Sequence, residues 1–361
     1  YPLRRQRQMC IRDRDDFVKV KQTRFGTTPT GSNISLFSLD NGQGLTMAVT
    51  DFGATLCSLH FPDKAGHLDN IVLGYDSFED LLADSNYFGA TIGRYANRIA
   101  NGQFEIDGKT FQLTQNEDAN HLHGGEVGFN KKRWDILVAN EDSITFHLSS
   151  AAGEQGYPGN LSVSLSYRLT AANELIIDYT AKTDAACPVN LTNHSYWNLA
   201  GSGDILAHRL TLECPRYLPV TEALLPTGEI ASVANSAFDF ISAATIGARI
   251  NAVAGGYDHC FVRSDKVTGE PKLIARVEDP LSGRIMTMAT TEPSIQFYTG
   301  NFLDNVQGAD GNTYGKHSGF CLEAQHYPDS PNQPSFPNTL LRPDEVYKQT
   351  TIHRFSQAGE S

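Results

Sequence analysis

Leu161-Ser162-Val163-Ser164-Leu165-Ser166-Tyr167-Arg168-Leu169-Thr170 alternates apolar and polar residues without a break. Successive side chains of a strand point to opposite faces, so the pattern predicts a strand with one buried and one wet face. After Ala171-Ala172-Asn173, the alternation resumes at Leu175, Ile177 and Tyr179, which reads as the second arm of a hairpin. Shorter runs of the same kind occur at Ile136 to Val138, Ile144 to Leu148, Lys272 to Glu278, Arg284 to Ala289 and Ile295 to Tyr298. Helical signal is thin. Ser77-Phe78-Glu79-Asp80-Leu81-Leu82 has an N-cap followed by early acids and predicts one short helix, and Ala243 to Asn251 is a second candidate. Close-spaced strands with little helix predict an all-β fold, an antiparallel sandwich or barrel.

The 361 residues allow one large β domain or two ordinary ones. The absence of a fixed-period repeat or flexible linker favours one, spanning residues 17–358. Pro328, Pro331, Pro334, Pro337 and Pro343 are interleaved with Tyr327, Phe336, Leu340 and Leu341, which predicts an ordered loop pinned to the core. Apolar residues at 40% suffice for a substantial core, and the formal net charge is −12. An acidic surface argues against nucleic acid or an anionic membrane as partner, and no apolar run is long enough to span a bilayer. Six scattered cysteines, with no CxxC spacing, read as free thiols in a reducing compartment, and their spacing gives no support to zinc. Residues 1–16 stand apart. Five arginines crowd between Tyr1 and Arg14, no Met begins the chain, and the stretch lacks the apolar core of a signal peptide. It reads as a non-native or disordered leader, of the kind left by sequencing-adapter carry-over.

Two distant segments carry groups suited to acid–base chemistry. Asn190-Leu191-Thr192-Asn193-His194-Ser195-Tyr196-Trp197-Asn198-Leu199 presents an imidazole among small polar residues. Cys321-Leu322-Glu323-Ala324-Gln325 places a carboxylate at the end of an apolar strand. One group that gives a proton and one that takes it are the minimum for general acid–base catalysis. Taken alone, Glu323 also reads as a surface carboxylate and His194 as a structural hydrogen-bonding residue. His121 and His123, two apart, fall on one side of a strand, where a metal pair is the rival reading. Either Arg94 or Arg98 could face a pocket, since spacing does not choose between them. Trp197 reads as core or as a stacking face for a ligand.

With Gly93-Arg94-Tyr95-Ala96-Asn97-Arg98-Ile99 and His121-Leu122-His123-Gly124-Gly125, these segments resemble the galactose mutarotases, or aldose 1-epimerases. The resemblance runs from roughly Gly26 to Phe355. It implies a large antiparallel β-sandwich of the galactose mutarotase-like kind with few short helices. It also implies interconversion of the α and β anomers of galactose- or glucose-type hexoses, with no cofactor and no metal. By the same resemblance Glu323 is the general base and His194 the general acid. Asn97, Arg98, His123, Ser195, Tyr196, Asp258 and Gln296 bind the sugar, and Gly124-Gly125 lets the backbone approach it. Small departures from the family pattern are Ala324, where Thr is common, and Cys260, where Asn is usual. A small aldohexose is the implied partner of a cytoplasmic monomer or homodimer. Two rival readings are a glycosidase using Glu323 with Asp258, and a non-catalytic sugar-binding module.

Overall fold

The strand Leu161–Leu169 pairs along its whole length with Glu174–Thr183, in the antiparallel register Leu161 opposite Thr183 to Leu169 opposite Leu175. Its apolar residues are buried and its serines are not, as the alternation requires. The structure is a computed structural model that describes residues 20–359; the leader and Cys10 lie outside the described residues. The hairpin sits within a nine-stranded antiparallel sheet, ordered Asp135–Ala139, Ser143–Ser150, Leu161–Leu169, Glu174–Thr183, Tyr347–Gln357, Arg284–Thr290, Lys272–Glu278, Arg209–Leu212 and Ala244–Thr245. Every shorter run singled out in the sequence falls on a strand, and Lys272–Glu278 matches end to end.

A six-stranded sheet holds Tyr196–Trp197, Phe320–Gln325, Ser294–Tyr298, Asp258–Val262, Arg216–Tyr217 and Ala231–Ser232 in that order. One face carries Phe261, Ile295, Phe297, Phe320, Leu322 and Ala324, which pack in one apolar cluster with Val163, Leu165, Ile177 and Met288 of the nine-stranded sheet. Burial of this shared face is the main force joining the layers. A five-stranded sheet, in sequence order from Lys21–Thr27 to Leu68–Asn70, adds Phe37, Met47, Val49 and Leu59 to the same cluster.

Helix forms where a cap supports it. The helix Phe78–Ala83 begins at Ser77, whose side chain accepts the Asp80 N–H, with Glu79 and Asp80 in its first turn. The second candidate is corrected. Ala243 to Asn251 forms the two-residue strand Ala244–Thr245, paired with Arg209 and Leu210, and two separate 3-10 turns, Ile246–Ala248 and Ile250–Ala252, divided at Arg249. No side chain caps either turn, and two β-branched isoleucines occupy them.

The proline-rich segment is pinned to the six-stranded sheet. Tyr327 and Phe336 pack edge to face at 5.2 Å, in a cluster with Leu218, Cys260 and Val262. Tyr95 joins this loop twice: its hydroxyl donates to the Tyr327 carbonyl at 3.1 Å and accepts the Ser330 N–H at 3.2 Å.

Candidate active site

Three segments meet at one buried residue. The Asn190 side chain accepts the His326 N–H at 2.9 Å and donates to the carbonyls of Ala96 and His326. Its backbone bonds Arg94 and Ala96. One amide therefore joins the arginine motif, the His194 segment and the end of the Glu323 strand. The alternating residues of the six-stranded sheet do the rest. Opposite the core face, Glu323 stands directly across from Gln296, and Asp258 lies across from Tyr298.

A cavity of about 190 Å³ opens over this face, lined by Asn97, Arg98, His123, His194, Tyr196, Asp258 and Glu323, with Tyr87, Glu117, Tyr298 and Phe302. Seven of the nine residues singled out in the sequence thus converge. Gln296 stands one layer back and donates to Asp258 Oδ1 at 2.7 Å. Ser195 is turned away, its hydroxyl bonded to Asn193 Oδ1 at 2.6 Å.

At the cavity floor, His194 Nε2 lies 3.7 Å from Glu323 Oε1, and both residues are buried. Burial pushes the Glu323 carboxyl well above its usual range; the Asp258 charge adds to this and Arg98 opposes it. Asp258 is raised by the same desolvation, offset by Arg98 and the Gln296 hydrogen bond. Burial drives His194 the other way, down to about 4. Glu323 Oε2, on the cavity lining, and Gln296 Oε1, behind it, are buried without a hydrogen-bond partner in the protein. Behind His194, Cys321 Sγ lies 3.6 Å from Nδ1.

The two neighbouring histidines part company. His121 is buried outside the cavity, donating from Nδ1 to the Thr114 carbonyl at 2.6 Å and accepting the Tyr157 hydroxyl at 2.8 Å. His123 lies beyond the end of that strand, in left-handed backbone at φ 51°, and this turns its ring into the cavity. Asn97, also left-handed at φ 65°, faces it. The Asn97 N–H donates to His123 Nδ1 at 3.1 Å, and the His123 N–H returns to the Asn97 carbonyl at 3.1 Å. An amide donor on Nδ1 requires the neutral ring to carry its proton on Nε2. His123 is therefore a hydrogen-bond donor to whatever fills the cavity. The ring atoms of His123 and His194 and a Glu323 oxygen lie within 4.8 Å of one another, close enough to suggest a metal trio. The tautomer opposes this, since a protonated Nε2 has no lone pair to give. Gly124 and Gly125 serve the chain. A Cβ on Gly124 would stand 1.8 Å from the Gly93 carbonyl, and one on Gly125 would stand 2.4 Å from Gln155.

The arginines also separate. Arg94 is buried, and all its guanidinium nitrogens bond to Ser150, Ala151, Pro158 and Gly159, a structural role. Arg98 reaches the cavity with its Nε and Nη2 each 2.6 Å from a carboxylate oxygen of Glu117. Glu117 was not singled out in the sequence, nor were Tyr87 and Phe302, and Tyr298 was read only as the end of a strand; only the fold brings them here. Trp197 is core, packed on His353 and Phe355, and offers no stacking face.

Five cysteines are free and buried: Cys57, Cys187, Cys214, Cys260 and Cys321. Among the described residues, no helix is long and apolar enough to cross a membrane.

The aldose 1-epimerase family profile matches residues 35–354. Galactose mutarotase of Rattus norvegicus is 45% identical over 346 residues, covering 94% of this chain and 100% of that protein. Aldose 1-epimerase of Escherichia coli strain K12 is 40% identical over 335 residues, 91% of this chain and 96% of that protein. Among solved structures, an aldose epimerase homologue from C. elegans superposes with a TM-score of 0.83 at 33% identity, covering 89% of this chain and 98% of that one.

Proposed function

Because the chain belongs to the aldose 1-epimerase family, we propose that this cavity interconverts the α and β anomers of an aldohexose such as galactose or glucose, with Glu323 and His194 as its acid–base pair. The buried carboxylate–imidazole contact at 3.7 Å carries the assignment of the pair.

Opening a pyranose takes a proton from the C1 hydroxyl and delivers one to the ring oxygen; closing reverses both. Glu323 accepts the first proton and His194 donates the second. The exchange needs the pair to hold one proton between its members. Burial favours the uncharged form, with that proton on Glu323 and His194 neutral. This form suits ring closure: the carboxylic acid protonates the carbonyl oxygen while the imidazole takes the proton of the C5 hydroxyl. The ion-pair form, of equal net charge, suits ring opening. Each half-reaction converts one form into the other, so an opening and a closing restore the pair without an outside proton. Between them the aldehyde turns about C1–C2 and presents its other face. His123 Nε2–H adds a second donor beside the ring oxygen.

Asn97, Arg98, Asp258 and Gln296 bind hydroxyls, with Tyr196 beside His194. Glu117 holds the Arg98 fork so that the remaining N–H groups face the sugar. Ser195 acts through Asn193, which it orders, and does not meet the sugar. Residues 20–358 form one domain in this reading, and residues 17–19 of the expected span lie outside the described residues. The five buried free thiols support a reducing compartment, the cytoplasm.

Polarimetry on freshly dissolved α-D-galactose and α-D-glucose tests the reading. Relaxation faster than the spontaneous rate, abolished in folded Glu323→Gln and His194→Asn, is expected. A folded wild type that accelerates neither sugar would overturn it.

A further inference from the structure

The cavity has one feature that the acid–base chemistry leaves unused. Four aromatic rings line it: Tyr87, Tyr196, Tyr298 and Phe302. Tyr87 packs against His123 and His194 with centroids 4.8 and 5.7 Å away, and Tyr196 packs against His194 at 5.2 Å. Those rings hold the imidazoles. Phe302 is different: it stacks on Tyr298 at 6.0 Å and 26°, and it is 71% exposed. A single exposed apolar residue on a protein surface needs no explanation. Phe302, however, stands over a cavity whose other groups are mostly polar, and its position is fixed. Its N–H donates to the Tyr298 hydroxyl at 3.0 Å, the next residue Leu303 is buried, and Tyr298 lies on the sheet between Asp258 and Cys321.

We propose that Phe302, backed by Tyr298, is a substrate-binding residue: an aromatic platform that covers the apolar C–H face of the pyranose in the epimerase cavity. The proposal rests on the epimerase reading and supplies what that reading lacks. A pyranose carries hydroxyls on its rim and C–H groups on its faces, and Asn97, Arg98, Asp258 and Gln296 can satisfy only the rim. Epimerisation also sets a particular demand, because C1 must invert while the rest of the sugar stays in place. Directional hydrogen bonds near C1 would oppose the turning aldehyde. A non-directional ring contact with C3 to C5 holds the sugar and leaves C1 free.

The test compares wild type with Phe302→Ala and Phe302→Tyr. It uses initial rates of α-D-galactose mutarotation over a range of concentrations, and calorimetric titration with methyl β-D-galactoside, which cannot open. Since the side chain is largely exposed, the melting temperature of both variants is expected to match wild type. Phe302→Ala is expected to raise KM, and the Kd for the glycoside, by roughly five- to tenfold with kcat within about twofold; Phe302→Tyr restores both constants. A wild-type KM and Kd in Phe302→Ala would overturn the platform, as would a loss confined to kcat. Inactivity of the wild type on every sugar would instead overturn the epimerase reading. The calorimetric comparison still reads the platform in that case, because it needs binding and no turnover.

Discussion

The two faces of the six-stranded sheet are built from the same strands and behave as different materials. Along Phe320–Gln325, the residues Phe320, Leu322 and Ala324 enter the apolar cluster shared with the nine-stranded sheet, while Glu323 faces the cavity and Cys321 lies behind His194. Ser294–Tyr298 repeats the division, with Ile295 and Phe297 in the core and Gln296 beside Glu323. Core residues gain stability from burial. Glu323 loses it, since a carboxyl at 2% exposure has surrendered its hydration and one of its oxygens has no partner. Neighbours one residue apart therefore carry opposite costs, and the cavity face is tolerable because the core face is large.

Substitutions on the two faces should separate activity from stability. The largest effect is expected at Glu323→Gln, with kcat falling by roughly 10²- to 10⁴-fold and the melting temperature equal to or above wild type. An active variant, or an unfolded one, would break the contrast.

Acid should expose the cost of buried imidazoles throughout the fold. Burial lowers His121, His194, His208 and His259 to about 4, and His353 to about 3. The unfolded chain binds protons at these groups near the usual pKa of about 6.5, so the stability they allow is complete above that value and is lost as pH falls through 6.5 towards 4. Burial lowers His123 as well, while Glu323, Asp51, Asp84, Asp258 and Asp329 are raised and work against this trend, five carboxyls against six imidazoles. Urea midpoints measured from pH 7 to 4 should fall steadily, and a flat profile would contradict the burial of these rings.

A smaller effect is expected at Glu117→Gln. With its fork released, Arg98 can turn towards Glu323, so kcat/KM should fall about tenfold and the acid limb of the pH–rate profile should move to lower pH. An unchanged profile would reduce Glu117 to a surface ion pair. The smallest effect concerns the core face: Ile295→Val should cost about 1 kcal/mol of unfolding free energy and leave kcat at the wild-type value.

Much of this was legible in the chain. The strand alternation survives into the structure because it follows from backbone geometry alone, and the helix at Phe78 is announced by Ser77 and two acids. The pairing of His194 with Glu323 was visible through the resemblance. The division between His121 and His123 was not, because a left-handed backbone at His123 breaks the alternation that would place them together. Nor was the choice between Arg94 and Arg98 legible in spacing. It depends on backbone carbonyls near residues 150 and 159 and on a carboxylate at Glu117. Trp197 read equally as core or platform, and its packing against Phe355 decides for core.

By itself, then, the sequence determined the all-β class, most strand positions and the capped helix, and it singled out His194 and Glu323, the proposed acid–base pair, since each rests on local pattern or on a motif read in one place. Only the tertiary structure decided which polar groups share a cavity, in which direction burial shifts their proton affinities, and that Phe302 stands over it. Those properties depend on desolvation and on a cavity lined by residues more than 200 positions apart, such as Asn97 and Glu323. No local pattern encodes how much water a folded chain removes from a carboxyl.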